Sequence, residues 1–138
     1  MILFDSGPLL AYVNDKDPHH KSAINLMTEA LKGNFGRLVV SNYIIDEVLT
    51  LSSVRTKSCS YGEEILKTIR AEKADKRIFF EVTLQNEMLT KTEELFKKYC
   101  SKGLSFTDCS LIAVYELLDI EYLATFSTEF KGLVTTIP

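Results

Sequence analysis

The sequence contains few of the residues that mark several common classes of protein. It has no tryptophan and only three cysteines, Cys59, Cys100 and Cys109. An odd number of cysteines without a C-x-x-C pair indicates neither a disulfide framework nor a zinc site. The longest apolar runs, such as "IFF" and "RLVV", are far shorter than the ~20 residues that span a bilayer. Because the amino-terminal residues also lack the pattern of a signal peptide, the sequence predicts a cytoplasmic protein without membrane contact.

Positive charge is not in excess either. Lysine and arginine total 16 against 19 acidic residues, which gives a formal net charge of −3. The field of the whole molecule therefore does not attract phosphates, and binding of a nucleic acid would need a local basic patch or metal ions. Basic residues are densest between Arg55 and Arg77. Solvated helix faces explain that stretch, and a flank that contacts phosphates is the alternative.

The chain has the length and composition of one α/β domain. It has 138 residues, of which 46% are hydrophobic, with no internal repeat and no linker. Short apolar segments alternate with segments of helical periodicity, which predicts a mostly parallel sheet of four to five strands with helices and right-handed crossovers. The predicted strands are "MILF", "RLVVS", "KRIFFEV", "EYLATF" and "LVTTI".

Capping residues and apolar periodicity predict where two of the helices lie. Thr107 is predicted to cap a helix that begins at Asp108. The segment "PHHKSAINLMTEALK" is predicted to be a helix with one apolar face. That face comprises Ala23, Ile24, Met27, Ala30 and Leu31.

Three acidic residues are expected to meet at one edge of the sheet. Asp5 ends the first strand, Glu47 lies about one turn into the helix after the second, and Asp108 opens the helix before the fourth. Ligands of open parallel sheets bind beyond the carboxyl ends of the strands. Crowded carboxylates cannot all stay ionised without a partner, and a divalent cation is the simplest one. Oxygen ligands without His or Cys favour Mg²⁺ or Mn²⁺ over zinc.

Each of these acids also has a purely structural interpretation. Asp5 can form a turn or cap a helix, Asp108 can complement a helix dipole, and Glu47 can be a solvated helix residue. His19 and His20 are interpreted as surface or packing residues rather than ligands. No glycine-rich phosphate-binding motif is present. The metal-site hypothesis therefore depends on the three acids together.

The order of these motifs resembles that of a known family. The segments "MILFDSGPLLAYVNDKDPHHKSA", "SNYIIDEVLTLSSVR" and "LSFTDCSLIAVYELLDIEYLATFSTEF" resemble the PIN-domain nucleases, including the VapC-type toxin ribonucleases. The resemblance covers almost the whole chain and implies a single three-layer PIN-like domain over residues 1–138. It also implies a metal-dependent ribonuclease that hydrolyses RNA phosphodiester bonds, either as the toxin of a toxin–antitoxin pair or in housekeeping RNA processing. In that family a strand-ending Asp, a helical Glu and an Asp opening a later helix form the metal site, and they match Asp5, Glu47 and Asp108.

One position departs from the family's pattern. Where the family often has a further Asp, in the turn "TFSTEF", this chain has Ser127, a neutral and weaker candidate ligand, with Glu129 two residues beyond. This departure motivates the alternative of a catalytically reduced PIN-like module that binds RNA or protein. The resemblance further implies RNA as substrate, an antitoxin protein as partner and a homodimer, for which the helices between Tyr43 and Lys73 offer apolar residues.

Overall fold

A five-stranded sheet forms the centre of the structure, a computed structural model that describes residues 1–138. Six α-helices and one separate two-stranded hairpin complete the domain, and a 3-10 turn, Cys100–Lys102, follows the fifth helix. The strands are β1 (Ile2–Phe4), β2 (Leu38–Ser41), β3 (Glu72–Lys73), β4 (Lys76–Arg77), β5 (Phe79–Val82), β6 (Tyr122–Ala124) and β7 (Thr136–Ile137). The helices are α1 (Ser6–Val13), α2 (His20–Leu31), α3 (Asn42–Thr56), α4 (Ser60–Arg70), α5 (Glu87–Tyr99) and α6 (Phe106–Leu117).

The strand order of the sheet puts the first strand in the middle. The order is β5-β2-β1-β6-β7, and all four pairings are parallel. The chain builds outward from β1 to β2 and β5, and then returns to the other side of β1 for β6 and β7. Such a reversal of direction creates a crevice at the carboxyl ends of the central strands. The predicted α/β domain with a parallel sheet is confirmed.

The helices form two groups on the two faces of the sheet. Helix α1 packs against α2, α3 and α4, whereas α5 packs against α6. Right-handed crossovers that run in opposite directions along a sheet place their helices on opposite faces, which gives three layers. Helices α3 and α6 also touch each other. None of the six helices has the length and apolar character that crossing a membrane requires.

The central strand is the most completely buried part of the core. Ile2 and Leu3 are 0% exposed and Phe4 is 1% exposed. Burying a side chain of this size stabilises the fold by roughly 1.5–3 kcal/mol. Because β1 also has a hydrogen-bonded neighbour on each side, its carboxyl end is held rigidly, and so is the residue that follows it.

The buried face of α2 differs from the predicted one. Ile24 and Leu31 are 37% and 44% exposed, while Leu26, which the periodicity did not include, is buried. The helix packs against α1, and its buried residues form a narrow stripe of Ala23, Leu26, Met27 and Ala30. Ile24 lies about 100° around the helix from Ala23 and therefore falls outside this stripe.

The third predicted strand is divided in the structure. Lys76–Arg77 pairs antiparallel with Glu72–Lys73 in a hairpin of its own, and the strand of the main sheet begins only at Phe79. The two turn residues, Ala74 and Asp75, both have positive φ, 51° and 59°. A two-residue turn of this kind matches the right-handed twist of the strands that it joins.

Candidate active site

Asp5 stands directly after the central strand and caps the helix that follows. Its backbone is extended (φ −81°, ψ 166°), and its Oδ1 accepts a hydrogen bond from the backbone N–H of Ser6 at 2.7 Å. An aspartate at this position satisfies a free helix donor and faces the positive end of the helix dipole. The residue is only 9% exposed. Asp5 is thus the single residue between β1 and α1, and no loop separates the two elements.

Thr125 provides the second hydrogen bond to this carboxylate. Phe4 of β1 pairs with Ala124 of β6, so the next residue of each strand emerges at the same edge of the sheet. Thr125 Oγ1 donates to Asp5 Oδ2 at 2.7 Å and accepts from the backbone N–H of Ser127 at 3.0 Å. Thr125 is 2% exposed. Oδ1 of Asp5 also accepts from the hydroxyl of Ser6 at 3.4 Å, whereas Oδ2 accepts only from Thr125 and keeps a further lone pair for a ligand.

Glu47 reaches the same edge from α3. This helix begins immediately after β2, and its N-cap Ser41 accepts from the backbone N–H of Ile44 at 3.3 Å. Ile44 and Val48 are fully buried and anchor the helix to the core, whereas Glu47 is half-buried. The sequence prediction that Ser41 or Asn42 caps this helix is resolved in favour of Ser41.

Asp108 lies in the first turn of α6, but the predicted cap of that helix is wrong. The helix begins at Phe106, and its N-cap is Ser105 rather than Thr107. Asp108 Oδ2 accepts from the backbone N–H of Ser105 at 2.7 Å, while Ser105 Oγ accepts from the backbone N–H of Asp108 at 3.0 Å. This reciprocal capping box fixes the side chain of Asp108. Its Oδ1 makes no hydrogen bond within the protein.

The three carboxylates lie close enough for their charges to interact. Burial is the main cause that raises the pKa of Asp5 above its ordinary value, and the hydrogen bonds from Thr125 and Ser6 oppose it. The negative charges of Glu47 and Asp108 raise this pKa further. No ion pair in the structure involves any of the three. The chain therefore concentrates negative charge at this edge without a cationic side chain to neutralise it.

The donors at this edge fit a hard divalent cation that keeps part of its water shell. No group of three or more His, Cys, Asp or Glu side chains is arranged so that it could hold a metal ion by itself. Mg²⁺ is commonly bound in proteins through one or two carboxylates, with several water molecules retained. Asp5 and Asp108 both offer carboxylate oxygens with free lone pairs, which suits that mode of binding.

Ser127 lies in the loop after β6, next to the acids but not among their hydrogen-bond partners. Its backbone N–H donates to Thr125 Oγ1, and its own Oγ accepts from the backbone N–H of Glu129 at 3.2 Å. The hydroxyl also lies 3.4 Å from the carboxylate of Glu129. The hydroxyl therefore stabilises its own turn, and no hydrogen bond links it to Asp5.

Thr125 is the residue of this site that the sequence interpretation did not identify. The signal that points to it is the register of two strands. If "MILF" and "EYLATF" are neighbouring parallel strands that end at the same level, Asp5 and Thr125 must lie side by side. That inference needs the strand order, which alternation of strands and helices does not provide.

Comparison with known proteins gives one family and several relatives. The PIN domain family model matches residues 2–134. A VapC ribonuclease of Archaeoglobus fulgidus is 28% identical over 130 residues, which cover 94% of this chain and 78% of the relative.

Two solved structures share the fold over nearly the full length. VapC20 of Mycobacterium tuberculosis, described as a sarcin–ricin loop cleaving toxin, superposes with a TM-score of 0.79 at 18% identity. The superposition covers 96% of this chain and 94% of VapC20. VapBC2 of Rickettsia felis, solved bound to a DNA fragment from its promoter, has a TM-score of 0.70 at 15% identity. In that case 99% of this chain and 98% of the other are covered.

The family model spans the central strand with Asp5, both helices that carry the other two acids, and the loop with Thr125. The resemblance noted in the sequence is therefore confirmed over the length of the domain, and this chain belongs to the PIN domain family.

Proposed function

We propose that the protein is a ribonuclease that hydrolyses RNA phosphodiester bonds with Mg²⁺ or Mn²⁺, and that it acts as the toxin of a toxin–antitoxin pair. The observation that carries this proposal is the convergence of Asp5, Glu47 and Asp108 at one edge of the sheet without a cationic partner. Membership of the PIN domain family and the similarity to a VapC ribonuclease support the same conclusion.

Two of the acids are proposed to hold the metal ion. Asp5 and Asp108 are fixed by backbone hydrogen bonds on one oxygen each, so they can offer further lone pairs without changing rotamer. When bound, a divalent cation neutralises charge on the phosphate and makes water a better nucleophile. The high cost of an ionised, buried Asp5 is then offset by the ion that it binds.

Glu47 is proposed to orient the attacking water. Its carboxylate accepts a hydrogen bond from that water and takes up its proton as the water oxygen forms a bond to phosphorus. One P–O bond of the phosphodiester breaks in the same step, and the leaving oxygen takes a proton from solvent. The products are one chain that ends in a phosphate and one that ends in a hydroxyl.

The test is cleavage of single-stranded RNA with Mn²⁺ and with EDTA. The parent is expected to give fragments only with the metal ion. Asp5→Asn, Glu47→Gln and Asp108→Asn are expected to lower the rate at least 100-fold, since each removes a group that general acid–base or metal catalysis depends on. Asp46→Asn is the matched control, because Asp46 is exposed and adjacent to Glu47 in the chain but has no part in the site. Parent-like cleavage by Asp5→Asn would refute the proposed metal site.

A second candidate function follows from Ser127. Because this neutral hydroxyl is used within its own turn, the chain has one acid fewer than many family members, which favours a module that binds RNA without cleaving it. Retention of RNA without fragments, in Mn²⁺ as in EDTA, supports this alternative. A Ser127→Asp variant that gains metal-dependent cleavage would assign the loss to this position.

The proposed partners follow from the family, and the proposed location follows from the cysteines. We propose an antitoxin that covers the acidic edge, and a homodimer formed through α3 and α4, where Val54 is 68% exposed. Val54→Glu is expected to give a monomer in light scattering, whereas Ile24→Glu on α2 is expected to leave the dimer intact. A monomeric parent at high concentration would refute the dimer. The three free cysteines suit a cytoplasmic, reducing environment.

A further inference from the structure

A polar cavity opens beside the acidic edge. Its volume is about 360 Å³, and it lies between the start of α2, the loop after β6 and the end of β7. Thr125 and Ser127 form part of its wall. Since Thr125 also donates a hydrogen bond to Asp5, the cavity and the acidic site share a wall residue. The cavity therefore lies on the Thr125 side of the acidic site.

Two stacked rings line this cavity. The rings of His19 and Phe126 are nearly parallel, with centroids 4.5 Å apart and an interplanar angle of 15°. Phe126 packs over the start of α1, where a Cβ added at Gly7 would lie 3.8 Å from its ring. His19 is exposed, and neither of its ring nitrogens makes a hydrogen bond within the protein.

His20, the neighbouring histidine, differs from His19 because its ring is used in a contact within the fold. Nδ1 of His20 lies 2.7 Å from the carbonyl oxygen of Ala11, so this side chain ties α2 to α1. No such contact accounts for His19. The stack of His19 on Phe126 thus presents one aromatic face that the fold does not use.

The remaining wall is polar and includes one cation. Lys131 lines the cavity, is exposed and makes no ion pair. Phe126 and Pro138 are the two residues with apolar side chains among the nine that line the cavity, and five of the others carry hydroxyl groups. A lone anion would use Lys131 but not the rings. A nucleotide uses both, because its base has a π-face and its phosphate has the charge that Lys131 complements.

We infer that this cavity binds one nucleotide of a single-stranded RNA substrate, next to the phosphodiester that reaches the acids. The base stacks on the free face of the His19 ring, which Phe126 supports from the other side, and Lys131 pairs with a phosphate. This inference rests on the proposed function for the identity of the ligand. It adds a subsite and names two residues, His19 and Lys131, as determinants of substrate binding.

The experiment measures binding separately from cleavage. Fluorescence anisotropy follows a labelled single-stranded RNA of about ten nucleotides and mixed sequence, with EDTA present and with Asp5→Asn as the parent. Adding His19→Ala is expected to weaken binding about tenfold, within the range that loss of one stacked base gives. His19→Phe, which keeps the flat ring, is expected to restore affinity to about twofold of the parent.

Lysine substitutions provide the matched pair. Lys131→Ala is expected to weaken binding and to lower the salt dependence of log K by about one contact. Lys97→Ala removes an equally exposed and unpaired lysine at the end of α5, away from the cavity, and is expected to change neither. Thermal melting of each variant confirms that the fold is retained.

The outcomes separate this inference from the proposed function. If His19→Ala and Lys131→Ala bind RNA like the Lys97→Ala control, or if the Asp5→Asn parent binds no RNA at all, the subsite is refuted. Cleavage by the protein with native Asp5 is scored independently. If His19→Ala in the protein with native Asp5 cleaves RNA with the metal ion and with an unchanged KM, the proposed nuclease function is supported and the proposed subsite is refuted. If RNA binding depends on the ring of His19 but the native protein does not cleave RNA, the proposed subsite is supported and the proposed nuclease function is refuted.

Discussion

Thr125 is the residue whose replacement tests the site's construction most directly. Thr125→Val keeps the shape of the side chain and removes only the hydroxyl that joins Asp5 to the backbone of Ser127. A hydrogen bond to a charged group contributes about 1.5–3 kcal/mol, and a backbone donor that loses its partner adds to the loss. We therefore expect the free energy of unfolding to fall by about 2–3 kcal/mol.

The expected loss of unfolding free energy corresponds to a decrease in Tm. At about 2.1 cal/mol/K per residue, the unfolding entropy of a chain of 138 residues is about 290 cal/mol/K. A loss of 2–3 kcal/mol then lowers Tm by about 7–10 °C. The assay is thermal melting followed by circular dichroism at pH 7 in EDTA, so that no metal ion contributes.

Thr92 offers a matched control for this substitution. It is also fully buried, but its hydroxyl donates to the neutral carbonyl of Met88 within α5, at 2.7 Å. Thr92→Val is expected to lower Tm by no more than about 3 °C, because a neutral hydrogen bond contributes only about 1 kcal/mol. Equal changes in Tm for Thr125→Val and Thr92→Val would refute the argument that the charge of Asp5 makes the difference.

The pH dependence provides a second check on the same bond. Burial raises the pKa of Asp5 above its ordinary value, so the folded protein binds this proton more tightly than the unfolded chain does. The contribution of Asp5 to stability therefore increases as the pH falls through its folded pKa. Once Asp5 is neutral, Thr125 donates to an uncharged group, and the Tm difference between parent and Thr125→Val is expected to shrink on acidification. A difference that grows toward low pH would contradict this account.

Three further predictions concern the metal, a helix cap and a thiol. In a titration with Mn²⁺, a metal-ion concentration of 100 times the Kd is expected to stabilise the parent by about 2.7 kcal/mol and to raise its Tm by about 9 °C. Asp46→Asn should show the same increase in Tm, whereas Asp5→Asn should not. Ser105→Ala is expected to cost about 1 kcal/mol, because it removes the hydroxyl that accepts from the backbone N–H of Asp108. Thr107→Ala should lower Tm less, and the reverse order would restore the cap predicted from sequence. Cys109 is 0% exposed and burial raises its pKa, so a thiol reagent should label it only on unfolding while the other two cysteines react in the folded protein, and labelling of all three at equal rates would contradict the packing.

Much of the fold was predictable because its signals are local. The alternation of apolar strands with amphipathic helices gave the class of fold and the parallel sheet. The hairpin was missed because its turn uses Ala74 and Asp75 at positive φ, and neither position holds the glycine that usually marks such a turn. The cap of α6 was misplaced because two residues, Ser105 and Thr107, can both serve as caps. In the structure Ser105 forms a capping box with Asp108, three residues on, and the helix therefore begins at Phe106.

The residues of the site also differ in whether local sequence pattern could predict them. Asp5, Glu47 and Asp108 were expected at the edge of the sheet because Asp5 follows a strand and the two others lie in the first two turns of a helix. Their mutual interaction is consistent with that prediction, while their role in catalysis remains a proposal. The contact with Thr125 was not predictable from local pattern, since it depends on β6 lying beside β1.

The pairing of Asp5 with Thr125 joins residues 120 positions apart. During synthesis, β1 leaves the ribosome more than 100 residues before Asp108 and before β6, which pairs with β1 on its second side. A growing chain therefore carries Asp5 and Glu47 without Asp108 and without an assembled centre. If the nuclease is a toxin, it cannot attack RNA near the ribosome that is making it until Asp108 and β6 have been translated.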